Sequence, residues 1–324
     1  MSTARMTPSA RSGSPLPQAE ASRAARNGLG RSGSKRRRNQ DHPYWFLIPA
    51  LGILCVFFFV PTLFNFIYAF TDWSSFKAQI NFVGFDNFVN LFSSGSLLTD
   101  LRITLVYAFL VAVFQNVFGL ALALLLERDT RINRFARAAF FVPVVMSALA
   151  VGYIFRAVLK PEGVLNDIFG QLLGLDVTTA WLGSTTWTIV VVAVIHAWKW
   201  MGLSMLIYLA GLKTIDEDVV EAARIDGAGW WRTFRSIRWP LLAPAITFNA
   251  ATALLGSMNS FDVVQATTGG GPGGTTEILN IFIFRTFGQG LFAQATTMSL
   301  ILFLMVALLA FPVIRFLRKR EEVL

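Results

Sequence analysis

The chain has 324 residues, 54% of them hydrophobic and only 15% charged, which is too little polar surface for a soluble globule, so the bilayer must be part of its solvent. A net charge of +9 raises nucleic-acid binding, but the excess lies mostly before residue 44 and in short loops, a distribution that fits membrane topology and no nucleic acid. The lone Cys55 excludes an intramolecular disulfide, and His42 and His196 stand far apart without cysteine or paired carboxylates, so no metal site is expected.

Residues 1–43 are rich in Ser, Arg, Ala and Gly and close on Lys35, Arg36, Arg37 and Arg38, the composition of a disordered basic tail. That run has two available roles, a topology anchor or a contact with anionic headgroups worth about 1 kcal/mol per basic residue. The first apolar run is too long for a cleavable leader and lacks a small-residue cleavage site.

A helix rises 1.5 Å per residue, so about 20 apolar residues cross the hydrocarbon core. Stretches at about 45–70, 101–126, 138–159, 186–212, 241–261 and 291–316 meet that length. The expected fold is an all-α membrane protein of about six transmembrane helices over 44–317, with 318–324 as a short C-terminal end. Between the first two spans, Phe85, Phe88, Val89 and Phe92 recur at helical spacing, predicting a short helix that either lies in the interface or packs on neighbouring spans.

Lysine and arginine near span ends resist translocation, so their placement orients the chain. The tail, the 2–3 loop (Arg128, Arg131, Arg134, Arg137), the 4–5 loop and the C-terminal end together hold 22 of the 28. Only Lys77, Arg102, Arg156, Lys160 and Arg285 fall on the other side, with Lys199 inside a span. Both termini are therefore expected in the cytoplasm.

Catalytic groupings are missing. The run from Gly269 to Gly274 has no following Gly-Lys-Ser/Thr, so it lacks the lysine and hydroxyl of a phosphate cradle and reads as a turn or partner-contact loop. No Gly-x-Ser-x-Gly elbow or Cys-His pair accompanies His196. A proton relay needs buried carboxylates in mid-span, and the nearest acid is Asp262 at the outer end of the fifth stretch. No catalytic residue is assigned.

The spans instead carry embedded polar groups: Gln115, Asn116, Trp198, Lys199, Asn249, Asn259 and Gln294. A lysine at mid-bilayer costs about 2.5–3.5 kcal/mol on insertion scales, so Lys199 must face protein or an aqueous cavity, or snorkel. Taken singly, the amides serve as interhelical hydrogen bonds worth about 0.6 kcal/mol. As a group, with Asp262, they line a hydrophilic path suited to sugar hydroxyls and sugar faces.

The loop 214–240 is patterned. Thr214 and Asp216 offer N-caps, Asp216, Glu217 and Asp218 put acids in a first turn, and a helix continues to Gly227, where a left-handed turn is available. A second short helix with Trp230, Trp231, Phe234 and Ile237 runs on to Pro240. Ala222 and Ala223 permit close approach by a partner, Glu221, Arg224 and Asp226 supply charge, and the tryptophans suit an anchor at the lipid boundary.

At these residues the sequence resembles the permease subunits of binding-protein-dependent ATP-binding-cassette importers. The resemblance rests on Glu221, Ala222, Ala223, then Asp226, Gly227, Ala228, then Phe234, Ile237, Pro240 and Pro244. It departs at Trp239, where the family usually has leucine. Phe82-Val83-Gly84 with Asn87 and Phe88, Gly163 to Asn166, and Phe261-Asp262 before Thr268-Gly269-Gly270 resemble the carbohydrate-uptake branch, in its maltose/glycerol-phosphate/trehalose-type first permease. The resemblance implies a second homologous permease, an ATPase dimer that uses ATP and magnesium, an extracytoplasmic solute-binding lipoprotein, and a place in a bacterial inner membrane. It also implies that Glu221, Ala222, Ala223, Asp226, Gly227 and Ala228 couple to the ATPase, and that this chain binds no cofactor and catalyses no reaction. The class-level alternative is an ion-coupled secondary transporter acting alone. A second alternative, an intramembrane enzyme, lacks the catalytic groupings.

Overall fold

A computed structural model describes residues 44–174 and 178–321. The tail 1–43 and the last three residues lie outside the described residues. The chain divides into two units at Leu54. The first contributes a 3-10 turn, Tyr44–Leu47, and helix α1, Ile48–Leu54, none of whose residues is buried.

The described part of the second unit is built of helices joined by turns and loops. In chain order come α2 (Val60–Tyr68), α3 (Asp86–Ser93), α4 (Ser96–Leu125), α5 (Arg131–Val145), α6 (Ala148–Val158), α7 (Val164–Leu173) and α8 (Thr188–Lys213). They are followed by α9 (Glu217–Ile225), α10 (Trp230–Thr233), α11 (Trp239–Leu241), α12 (Ala243–Met258), α13 (Asp262–Thr267), α14 (Leu279–Gly288) and α15 (Phe292–Glu321). Apart from one isolated bridge, Thr71 to Phe82, the described residues form no extended pairing. Among the described residues, four stretches are long and apolar enough to cross a bilayer unbroken: Ile48–Tyr68, Ser96–Leu125, Thr188–Lys213 and Phe292–Val313.

Two of the six expected spans are broken. The stretch expected at 138–159 bends by 100° between α5 and α6. Pro143 inside α5 lacks an amide hydrogen and crowds the preceding turn, and Met146 and Ser147 turn extended at the break. The stretch expected at 241–261 is α12 alone, bent by 68° from the Trp230–Leu241 segment at the prolines Pro240 and Pro244.

Helices in lipid gain little from apolar contact with each other, so close packing rests on small residues. The centre of the bundle is α8, which runs along α4 and crosses α5. A Cβ placed on Gly119 would lie 2.4 Å from the Ser204 Cβ, and one on Gly202 would lie 2.2 Å from the Phe140 carbonyl oxygen. These glycines set how near α4 and α5 come to α8. Two apolar clusters flank the crossings, one around Tyr107, Val111, Val192, Ile195 and Val264, the other around Met205, Tyr208, Leu209, Leu212 and Leu242.

The loop helix α3 answers the choice left open by its spacing. Leu91 is buried with Leu97 and Met298, and Phe70 meets the rings of both Phe85 and Phe88 at 5.3 Å. Val89 and Phe92 stay exposed. The helix thus packs on the bundle through Leu91 and leaves part of its aromatic stripe outward.

Before α3, Asp72 holds the loop by accepting from Lys77 Nζ (2.8 Å) and the Asn81 backbone N–H (2.7 Å). The lysine bond, then the amide, lower its carboxyl to about 2. A carboxyl depressed in the folded state contributes in full above its unfolded value of 3.8 and loses that contribution as pH falls from there through the folded one. Amide-exchange protection at Asn81 is therefore expected to stay level from pH 7 to pH 4, and to be lower in Asp72→Asn across that window. A fall beginning at pH 5 would contradict this.

Candidate functional site

Gln115 on α4 donates through Nε2 to the Ser204 hydroxyl on α8 (2.9 Å), which donates to Asn249 Oδ1 on α12 (3.0 Å). Asn249 Nδ2 donates back to the Ser204 carbonyl at 3.3 Å. All three side chains are buried. One hydrogen-bonded network therefore ties three helices at mid-span. About two turns back along α8, His196 Nδ1 lies 2.9 Å from the Tyr107 hydroxyl and 3.4 Å from Ser260 Oγ.

Of these groups, Gln115, Asn249, His196 and Ser260 face a cavity of about 330 Å³. Its polar wall is made by Gln115, His196, Asn249, Ser257, Asn259 and Asp262, with Trp200 offering an aromatic face. A second cavity of about 410 Å³ begins on the far side of Asn259 and Phe261, where Asn280, Thr296, Ser299 and Asn65 supply polar groups. Asn65 Oδ1 is shielded from solvent and has no hydrogen-bond partner among the described residues. Asn259 and Phe261 thus stand at the division between two polar chambers.

Of the eight residues expected along a path, the structure gathers Gln115, Asn249, Asn259 and Asp262 in the first cavity. The other four go elsewhere. Asn116 accepts from the Tyr208 hydroxyl and borders an apolar groove. Trp198 turns into the core against Phe155, edge to face at 5.1 Å. Lys199 is buried and donates to the Val144 carbonyl at 3.1 Å. Gln294 sits half-buried in the first turn of α15, outside both cavities.

Sequence reasoning missed His196, Trp200, Ser257 and Ser260 as cavity residues. The signal for two of them was present: His196, Trp200 and Leu203 fall at i, i+4 and i+7 on one face of α8 and all line the cavity, whereas Trp198 is about 200° away on a helix of 3.6 residues per turn. Replacing Asn249 by leucine removes an acceptor and a donor from Ser204, at about 1–3 kcal/mol for a buried group left unpaired. Asn249→Leu is expected to lower the thermal midpoint of the detergent-solubilised chain. An unchanged midpoint would remove the network from the account of stability.

The other end of the bundle carries the elbow. Asp216 Oδ1 accepts from the Asp218 amide (3.1 Å) and starts α9. Gly227 closes it at φ +78°, with Ala228 N–H donating to Ala223 O (2.9 Å) and Gly227 N–H to Arg224 O (3.0 Å). This paired closure needs a left-handed residue at Gly227. Val220 and Ala223 face inward, so Glu221, Ala222, Asp226 and Gly227 are presented outward, with Ala228 half-buried. Ile225, 86% exposed, adds an apolar side chain to that outward face, which the sequence reading passed over. Past the bend, Trp230 stacks on Phe234 at 5.7 Å, and Arg238 pairs with Glu127 at 2.7 Å beyond the end of α4. The elbow is therefore tied to the bundle while its outer face stays open.

Comparison with known proteins follows this geometry. The model of a family described as "Binding-protein-dependent transport system inner membrane component" matches residues 115–319. The chain is 32% identical over 287 residues to the probable starch degradation products transport system permease protein AmyD of Thermoanaerobacterium thermosulfurigenes, covering 86% of this chain and 94% of that one. It is 31% identical to the multiple sugar-binding transport system permease protein MsmF of Streptococcus mutans, over 86% of this chain and 97% of the relative. A chain from the crystal structure of a bacterial ABC transporter involved in import of the acidic polysaccharide alginate shares the fold, with a TM-score of 0.72, 22% identity, and coverage of 87% of this chain and 95% of that chain. A family match across well over half the chain, joined to this helical architecture, places the protein: it belongs to the inner membrane components of binding-protein-dependent transport systems, as an ABC transporter permease.

Proposed function

We propose that the chain forms half of the translocation path of an ATP-driven importer for a sugar or related polyol. The observation that carries this reading is the polar cavity closed by Gln115, Asn249, Asn259 and Asp262 with the Trp200 indole, set among helices with apolar outer faces. Amides and hydroxyls exchange hydrogen bonds with a polyol without demanding charge, and an indole face covers the apolar face of a sugar ring. Relatives named for starch degradation products and multiple sugars support that class of cargo.

The partners are a second homologous permease, an ATPase dimer, and an extracytoplasmic solute-binding protein. Support for the last comes from a fold neighbour described in complex with a pentasaccharide-bound periplasmic protein. ATP and magnesium belong to the ATPase. Both termini lie in the cytoplasm of a bacterial inner membrane, on the side where the basic residues gather. The outward face of α9 and the Gly227 turn, carried by Glu221, Ala222, Asp226 and Gly227 with Ala228 at its edge, seats in the ATPase, whose closure moves the elbow and turns the cavity outward; Ala223, also expected at this contact from the sequence, faces the bundle instead. Driving such a two-state element from 1:99 to 99:1 takes about 5.5 kcal/mol of differential binding.

The test is the co-expressed complex in proteoliposomes, with a panel of sugars and polyols screened for stimulation of ATP hydrolysis. Asn259→Leu is expected to raise the KM for uptake roughly fivefold, the equivalent of one hydrogen bond worth about 1 kcal/mol, with assembly unchanged. Uptake driven by an ion gradient without the ATPase would replace this reading with a secondary transporter.

A further inference from the structure

The cavity wall depends on a break in a helix, and Lys199 sits at that break. Helix α5 ends at Val145, so the carbonyls of its last turn have no amide ahead of them in the same helix. The amide that would serve Val144 belongs to Ala148, which starts α6 on the other side of a 100° bend. Lys199 Nζ meets the Val144 carbonyl at 3.1 Å, from a residue only 3% exposed. A cation at the carbonyl end of a helix satisfies both the free acceptor and the helix dipole.

The same ammonium lies 4.4 Å from the centre of the Trp200 ring, whose indole lines the cavity. One turn along α8 from Lys199, on the same face, Gly202 brings the α8 backbone against the Phe140 carbonyl. The last turns of α5 are thus fastened to α8 at two points, close approach at Gly202 and a charged hydrogen bond at Lys199. Beyond the bend, α6 lies on α13, where a Cβ on Gly152 would come within 2.5 Å of the Ala266 Cβ. The bend therefore decides where Ala148, at the start of α6, and Asp262, at the start of α13, close the cavity.

We propose that Lys199 is a positioning residue: its ammonium caps α5 at the break, and so holds the bend that sets Ala148, Asp262 and Trp200 around the cavity. Lys199 is absent from the cavity lining. The inference rests on the transport reading for its kinetic consequence, while its geometric consequence is independent of it.

The experiment uses the full chain in lipid nanodiscs, in a Cys55→Ser background, with spin labels at Phe135 on α5 and Tyr153 on α6, both exposed. Wild-type and Lys199→Arg chains are expected to give one narrow distance distribution, and Lys199→Met a broadened one. In the assembled complex, Lys199→Met is expected to raise the KM for uptake about tenfold with the maximal rate changed less than twofold, and Lys199→Arg to restore most of that loss. If Lys199→Met does not accumulate, Lys199→Gln, whose amide stops short of Val144, is expected to broaden the distribution partway. An unchanged distribution in the methionine or glutamine variant overturns the proposal, whether or not uptake falls. A broadened distribution without any transport in wild type would keep the cap and remove the importer reading instead.

Discussion

Gly227→Pro is expected to abolish ATP-driven uptake and to release the ATPase during purification, while the chain still inserts in the membrane. Gly227 holds φ at +78°, and proline locks φ near −65°, so the turn cannot form as it stands. Proline also removes the amide that donates to Arg224 O, and with it half of the closure of α9. The combined local cost is about 3 kcal/mol or more, enough to unseat a nine-residue helix. Gly227→Ala keeps the amide and incurs only the left-handed penalty, about 1–2 kcal/mol. It is expected to transport at an intermediate rate. Glu221→Lys reverses an exposed charge on the outward face of the same helix and should weaken ATPase association without altering the turn. The measurements are co-purification of the ATPase and initial uptake rates. Normal values of both in Gly227→Pro would end the assignment of this elbow as the coupling element.

The second large effect is expected at Gly202. A valine there would place Cβ 2.2 Å from the Phe140 carbonyl oxygen and 2.9 Å from the Phe141 Cα, both backbone atoms that no rotamer change can move aside. Overpacking of this kind costs about 1–3 kcal/mol and here also pushes α5 from α8 beside the Lys199 cap. Gly202→Val should lower the midpoint of thermal unfolding by several degrees and reduce the yield of folded chain. Gly256 is the internal control, because a Cβ there meets nothing within 4 Å although the residue lines the cavity. Gly256→Val should leave the midpoint within about a degree of wild type and raise the KM for uptake, since its side chain occupies solute space. Equal midpoints for the two variants would show that the α5–α8 approach is softer than its backbone contacts indicate.

The helix content, the cap at Asp216, the left-handed turn at Gly227 and the aromatic-rich second limb of the elbow were legible in the sequence. Each depends on neighbours within a few positions, where residue type limits backbone conformation. The polar path was legible only in part. Gln115, Asn249, Asn259 and Asp262 share a cavity, whereas Asn116, one residue from Gln115, turns to Tyr208. Neighbours on a helix point about 100° apart, and composition records that a residue is polar without recording which way its helix is rotated.

Length and apolarity, taken alone, determined that this chain spans a membrane several times, because every backbone group in lipid must be paired within its own helix over a set thickness. The pattern Glu221 to Pro244 likewise determined the elbow and the family resemblance, since both are properties of contiguous residues. Only the tertiary structure decided that the third span is broken at Met146, that Lys199 reaches Val144 across 55 positions of chain, and that His196 and Trp200 share a wall with Asn249. The last two outcomes rest on the distance between helix axes and on helix rotation, which Gly119 and Gly202 set through contact with other helices, whereas the break draws also on Pro143 within α5.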